Sequence, residues 1–495
     1  MHTIINSFQR LIVAVSLVII ATTTIYAEQS AKVSITIDKS LLTKPFTGRV
    51  YAVIAPKAEK KLPLQANFWF APMEIMSKKV NNWTGDEPIV LTRNDDHYLK
   101  ATTAEDYEMQ VLLRVNQRNA NPFASPGNLY SEPVALSQAE VATLDKTLKV
   151  VNIIETGSPL MPTKAAETEQ LKLFPYKSDL LSDFHKQDYF VNVAVRLPKG
   201  HADSDKQWPV LYYISGMGGN EVEFLRLMKG KESYFDQFIT VSVDAMNFGG
   251  HSVFADSANT GPWGRLIVDE IAPMVDNKYR GAGPSKRYLT GISSGGWSSL
   301  WLQVTYPKDF AGTWSFVPDS IDFRDFQRVN FYAPGQNIYT DNLGQPRYVA
   351  RTGKGMPWIL SKDFNTMESA MGEGGQIRSF EYVFSDRGED GLPVPLFDRK
   401  TGAINHEVAK TWKKYDIRLI LTENWQFLKN DLEGKLHVYG GEKDQFFLEG
   451  PVRLLKEDLT YLGASEDIRV IAGLAHAFDE DSVIAMLKEI TGEEN

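Results

Sequence analysis

Apolar and polar residues alternate over residues 33–37 and 48–54, and short apolar runs recur at 67–70, 88–91 and 107–115. A period of two turns one side of each run to a core and the other to water, so these stretches predict strands. Turn-forming residues separate them, and no long helical period intervenes. The pattern predicts a small all-β, sandwich-like domain over residues 28–155. His97 lies in the polar run Arg93-Asn94-Asp95-Asp96-His97 and reads as a solvated loop residue.

The pattern then changes. Residues 156–175, opening on Thr156-Gly157-Ser158-Pro159, read as a linker. From 176 to 495 the apolar runs become nearly continuous, at 189–197, 208–215, 238–244 and 312–317. Strands covered on both faces require such runs. Ile267, Ile271, Val275 and Tyr279 recur every four residues, a helix with one apolar face. Further strands are predicted at 435–440 and 467–471, with a closing helix at 482–490. Strands alternating with helices predict an α/β domain with a mostly parallel sheet. Between about 320 and 430 the alternation lapses. A connection of that length predicts a lid or cap insertion.

The first 27 residues follow neither pattern. Arg10 precedes an apolar run over 11–21, and Ile25-Tyr26-Ala27 follows a short polar step. This predicts an export signal cleaved after Ala27, hence a periplasmic or secreted bacterial protein. The run is short for a membrane span and no other stretch approaches one, so no membrane association is expected after cleavage.

Composition narrows the function classes. Of 495 residues, 43% are hydrophobic and 23% charged, which is globular rather than disordered. The net charge of −9 would become −10 without Arg10, and no basic tract stands out. Nucleic acid and anionic membranes are therefore poor partners. The chain has no cysteine, which excludes disulfides, thiolate metal sites and a cysteine nucleophile. The sequence holds no metal-binding cluster, and no Gly-Lys-Ser/Thr follows its glycine-rich loop, so no metal or cofactor is expected.

The chemistry concentrates at Gly291-Ile292-Ser293-Ser294-Gly295, a Gly-x-Ser-x-Gly between a predicted strand and helix. This is the nucleophile-elbow pattern, in which a sharp turn lifts a serine above the sheet at a helix N-terminus. A serine needs a base, and an α/β-hydrolase sheet supplies partners in the order Ser, Asp/Glu, His from loops at the carboxyl ends of strands. Asp444 follows the strand at 435–440, and His476 follows the strand at 467–471. Ser293 is thus expected as nucleophile, His476 as base and acid, and Asp444 as the orienting carboxylate. Asp319 is an alternative acid, with Asp322 and Glu442 behind it. Ser294 N–H and Met217 N–H, the latter in Gly216-Met217-Gly218-Gly219, are the expected oxyanion donors. His251 is a candidate for the site mouth, His406 for a substrate contact, and His437 for core packing.

With these residues in place, the catalytic half resembles the esterase family that includes esterase D, enterochelin esterases and feruloyl esterases. The resemblance is carried by residues 178–184, by Tyr212-Tyr213-Ile214-Ser215-Gly216-Met217-Gly218-Gly219, by residues 253–262, by the elbow and by residues 436–444. It covers roughly 176–480 and is greatest to a secreted bacterial branch with an extra N-terminal β domain. It implies the same triad and puts residues 256–262, Asp256 among them, near the substrate. Gly216, Trp263 and Trp297 are the other expected pocket residues. The long interval between Ser293 and Asp444 departs from the generic pattern. The expected substrate is a small-molecule or carbohydrate-linked ester. Transfer of the acyl group to an acceptor other than water, or a non-catalytic binding role on this scaffold, are the rival readings. Sequence leaves the oligomeric state open.

Overall fold

A computed structural model describes residues 31–493, apart from 59–60, 67–72, 101–103, 119–120, 156–158 and 161–164. The expected export signal and the strand expected at 67–70 lie outside the described residues. The chain divides into two compact units. One comprises residues 1–163 with Thr366–Gly372, and the other Lys164–Asn365 with Glu373–Asn495.

The first unit is β-rich. Its strands are β1 (Lys32–Ile37), β2 (Phe46–Pro56), β3 (Glu74–Trp83), β4 (Ile89–Thr92), β5 (Asp96–Leu99), β6 (Asp106–Arg114), β7 (Leu129–Ser131), β8 (Val134–Ser137) and β9 (Asp145–Ile153). The described strands join in one hydrogen-bonded sheet in the order β4-β1-β9-β7-β6-β2-β3-β5, with β8 on β6. Two separate sheets, as a sandwich would have, are not what forms. Alternate residues of strands far apart in that order, such as Val33 and Ile35, Val50 and Ala52, Val111 and Leu113, meet in one core. The sheet therefore curves around its own apolar face. β3 escaped the sequence reading because its second half is mostly polar and its first residue, Glu74, is a buried acid.

Glu74 is 2% exposed and holds Arg93 by two bonds, at 2.5 and 2.9 Å. His97 Nε2 lies 3.0 Å from the same carboxylate. His97 is thus half-buried in β5 rather than a solvated loop residue. Burial alone would raise the Glu74 carboxyl, but the bonds from His97 and Arg93 outweigh it and hold it below its ordinary value.

The second unit is built on eight strands. These begin with β10 (Leu171–Ser178), β11 (Tyr189–Arg196), β12 (Val210–Ile214) and β13 (Ile239–Val243). Two short hairpins follow, β14 (Met246–Asn247) with β15 (Gly250–His251), and β16 (Asp256–Ser257) with β17 (Gly261–Pro262). The sheet resumes with β18 (Arg287–Ile292) and β19 (Gly312–Phe316). After a third hairpin, β20 (Tyr348–Arg351) with β21 (Pro357–Leu360), it ends in β22 (Leu436–Gly441) and β23 (Asp467–Ile471). Its order is β10-β11-β13-β12-β18-β19-β22-β23. The sheet is mixed: β10, β11 and β13 pair antiparallel at one edge, and the pairings from β13 to β23 are parallel.

β10 starts inside the stretch that reads as a linker. Its Pro175 cannot donate to a ladder, and β10 sits at the sheet edge where that is tolerated. Ile267, Ile271, Val275 and Tyr279 are all buried, as their spacing requires. The chain around them makes a wide π turn over Leu266–Ile271 before the α-helix Ala272–Tyr279.

The long connection between β19 and β22 is not structureless. It contains β20, β21 and the helices Gln376–Phe384, His406–Trp412 and Ile417–Leu432. Its aromatic side chains Phe323, Phe384, Trp412 and Tyr415 share one core with Trp297 and Trp301 of the helix Ser294–Thr305. No helix among the described residues is long and apolar enough to cross a membrane.

Removing one partner of a buried ion pair leaves the other uncompensated. Glu74→Gln is expected to destabilise the first unit by about 3 kcal/mol, read as faster hydrogen exchange in the β2 and β3 amides. Because the Glu74 pKa is lowered by folding, its contribution is full at neutral pH and is lost as pH falls through the folded value. The gap between wild type and variant should therefore narrow below about pH 4.

Candidate active site

The site begins where β18 ends. Ser293 has φ 59° and ψ −125°, a conformation that costs an L-residue on the order of 1–3 kcal/mol. Two glycines permit it. A Cβ on Gly291 would lie 2.3 Å from the Gly295 carbonyl, and one on Gly295 only 2.1 Å from the Ile214 carbonyl. Both clashes are with backbone, which cannot swing aside. Ser293 N–H donates to the Phe316 carbonyl at 3.0 Å, tying the turn to the end of β19. The helix Ser294–Thr305 then starts directly beneath the serine, with first-turn N–H groups that have no intrahelical acceptor.

Asp444 lies in the loop after β22 and is fully buried. Its Oδ1 accepts the Phe446 N–H at 2.7 Å. Its Oδ2 is 2.7 Å from His476 Nδ1. That contact puts the imidazole proton on Nδ1 and leaves Nε2 as the basic nitrogen, which has no hydrogen-bond partner among the described residues. His476 N–H also donates to Gln445 Oε1 at 2.8 Å, and the Phe446 ring stands edge-on to the imidazole at 4.9 Å.

The two loops that carry these residues are laced together. Glu442 N–H donates to the Ile471 carbonyl at 3.0 Å, and Lys443 N–H to the Leu474 carbonyl at 2.8 Å. The Glu442 carboxylate accepts Gly473 N–H at 2.8 Å, which accounts for one of the competing acids. Arg351, at the end of β20, clamps the acid loop. Its Nε donates to the Asp444 carbonyl at 2.7 Å, and its Nη2 reaches Glu449 at 2.9 Å. Gln445 and Arg351 were not visible in the sequence as site residues, because no motif surrounds them.

The glycine-rich loop after β12 meets the elbow from the other side. A Cβ on Gly216 would lie 3.3 Å from Ser293 Cβ, so this backbone passes close to the serine. Met217 follows in the same turn, which Gly219 N–H closes on the Gly216 carbonyl at 3.0 Å. His251 does not line a mouth. It is 1% exposed, accepts Val253 N–H on Nδ1 at 2.9 Å and donates from Nε2 to the Ser215 carbonyl at 3.0 Å. It therefore fixes the residue just before the glycine-rich loop. Burial pushes its imidazole down to about 4, against the opposing effect of the Ser215 bond.

Other expected site residues have structural partners. Asp256 Oδ1 accepts the N–H groups of Gly264 and Arg265 at 2.8 and 3.1 Å, capping the helical run that follows. Trp263 is fully buried, with its indole N–H on the Thr260 carbonyl at 2.9 Å. Trp297 is also fully buried and stacks on Trp301 with centroids 5.2 Å apart. Both indoles pack inside cores rather than lining an open surface. Asp322 is buried and paired with Arg324. His437 stacks on Trp314 at 4.6 Å, a packed residue as its strand position implied. His406 meets the Phe331 carbonyl at 3.2 Å. Asp319, the alternative acid, does not touch His476 through a hydrogen bond; its oxygens face Ser293 and Ser294 instead. Among the described residues, no three His, Asp or Glu side chains are grouped to hold a metal ion.

Residues 188–361 match the family described as Putative esterase. That stretch includes the elbow serine, and the match supports hydrolysis of esters. No curated protein matches the chain. Solved structures similar to it include a ferulic acid esterase, at 14% identity over 66% of this chain and 97% of that one, with a TM-score of 0.40. An S-formylglutathione hydrolase from Agrobacterium tumefaciens is similar at 14% identity over 66% and 95%, with a TM-score of 0.39. The S-formylglutathione hydrolase FrmB from Staphylococcus aureus is similar at 14% over 66% and 98%, with a TM-score of 0.41.

His251 gives this unit a pH dependence of definite sign. The unfolded chain takes up a proton near pH 6.5 that the folded imidazole refuses until about 4, so stability falls as pH drops across that window. The full effect is about 3 kcal/mol. In His251→Gln, which keeps a donor for Ser215 but does not titrate, urea midpoints between pH 6.5 and 4 should fall less steeply than in wild type.

Proposed function

We propose that the protein is an exported serine esterase that hydrolyses carboxylic esters through an acyl-enzyme. Ser293 Oγ attacks the ester carbonyl carbon, and its proton passes to His476 Nε2. Asp444 holds the imidazole by Nδ1 and stabilises its charged form. The N–H groups of Ser294 and Met217 receive the oxyanion. The carbon–oxygen bond to the alcohol then breaks, and His476 returns its proton to that leaving oxygen. Water, deprotonated by His476, attacks the acyl-enzyme; the bond from the acyl carbon to Ser293 Oγ then breaks, His476 returns its proton to Oγ, and the acid leaves.

The observation that carries this reading is the 2.7 Å contact between His476 Nδ1 and Asp444 Oδ2. It leaves Nε2 as the basic nitrogen; the backbone of Ser293 is strained into an elbow, and the three residues follow in the order expected of such a triad. The family match at residues 188–361 supports the ester as substrate class. The proposed site of action is the periplasm or the exterior of a bacterial cell, which rests on the pattern of the first 27 residues.

The test compares residues 28–495 of wild type, Ser293→Ala and Asp444→Asn on short-chain nitrophenyl esters, feruloyl esters and a catecholate siderophore. Wild type should turn over at least one ester class. Ser293→Ala should lose about 10⁴-fold or more in kcat, and Asp444→Asn about 10²- to 10⁴-fold. Equal activity in wild type and Ser293→Ala would exclude Ser293 as nucleophile.

A further inference from the structure

Asp319 follows β19, and its carboxylate is buried at the foot of the elbow. Oδ2 accepts the Ser294 hydroxyl at 2.5 Å and the Gln376 side-chain amide at 3.1 Å. The same amide donates to Ser294 Oγ at 3.3 Å. Oδ1 faces Ser293 Oγ at 3.4 Å, and the Asp319 N–H donates to the Ser293 carbonyl at 3.2 Å. Two carboxylates therefore flank the serine and the imidazole. Asp444 lies behind His476, and Asp319 lies beneath Ser293.

This arrangement is costly if it serves packing alone. Burial pushes the Asp319 carboxyl upward; the Ser294 hydroxyl and the charge of His476 oppose that, while Asp444 adds to it. A buried acid with like charge nearby would be replaced at no loss by a neutral side chain if only volume mattered. Its contact with Ser293 is also longer than the 2.5–3.0 Å of a full hydroxyl hydrogen bond. The hydroxyl is drawn toward Asp319 without being locked there.

We propose that Asp319 is a positioning residue for the nucleophile, holding the Ser293 hydroxyl in register between itself and His476, and that Gln376 makes the long insertion part of that device. The proposal rests on Ser293 being the nucleophile. Gln376 opens the insertion helix Gln376–Phe384. Later on the same helix, Ser379 and Tyr382 press on Gly250 and Gly249, where added Cβ atoms would meet them at 2.4 and 2.5 Å. One helix thus touches both the hairpin that carries His251 and the carboxylate beneath Ser293. The insertion acts on the nucleophile from inside the unit, through Gln376, Asp319 and Ser294.

The experiment measures the rate at which a small fluorophosphonate labels Ser293, with kcat and KM on a short-chain nitrophenyl ester and the urea midpoint. It uses wild type, Asp319→Asn, Gln376→Met and Ser293→Ala. Asp319→Asn should lower the labelling rate and kcat by about tenfold or more, with KM changed less than about twofold. Gln376→Met removes the donors at similar volume. It should lower both rates by about threefold with a urea midpoint near that of wild type. Wild-type labelling rates in both variants, per folded molecule, would overturn the inference while leaving the esterase reading intact. Failure of wild type itself to label, like Ser293→Ala, would overturn the esterase reading and the inference with it.

Discussion

The backbone at Ser293 is the constraint on which the second unit depends. A residue at φ 59° and ψ −125° is held there only if its surroundings leave no easier path. Here the surroundings are strand ends. Gly295 rests on the carbonyls at the end of β12, Gly291 on the Gly295 carbonyl, and Ser293 N–H on the last carbonyl of β19. Three neighbouring parallel strands thereby set the position of one hydroxyl. The same strand ends bring the glycine-rich loop close to Ser293, where a Cβ added to Gly216 would lie 3.3 Å from the serine Cβ.

The proposed partners of the serine are positioned by a different device. Asp444 and His476 sit on loops, and loops are the part of a fold that needs fastening. Backbone bonds between the two loops, the Glu442 cap and the Arg351 clamp supply it. His251 does the same for the loop after β12, through the Ser215 carbonyl. Each fastening comes from a residue that carries no chemistry of its own. Their burial and bonding reduce the rotameric freedom that would otherwise be lost when a substrate binds.

The insertion between β19 and β22 is more than a covering. Its aromatic residues complete the core against the helix Ser294–Thr305, with Trp297 in contact with both Trp301 and Phe384. This explains why Trp297, a plausible pocket residue by its place beside the elbow, is enclosed. In sequence a tryptophan beside an active serine looks the same whether it faces a ligand or a core. Only the arrival of residues more than eighty positions away decides which. For Asp256 the deciding partners are near in sequence: its carboxylate is taken up by the helix start at Gly264 and Arg265.

What the sequence determined by itself was the part that depends on local periodicity and on chain order. The buried strands of the second unit, the elbow with its two glycines, and the order Ser293, Asp444, His476 were legible because strand burial, a tight turn and loop position each leave a short-range signature. Tertiary structure decided the rest. It set the single curved sheet of the first unit, the partners of Glu74 and His97, and the antiparallel edge that recruits β10 with its proline. It also turned Asp319, an alternative acid by its place after a strand, toward Ser293 and Ser294 rather than His476, and brought Gln376 to Asp319, Arg351 to the loop of Asp444 and Gln445 to His476. Those residues act through hydrogen bonds to chain segments tens to a hundred residues distant, and such pairing leaves no mark on the sequence around either partner.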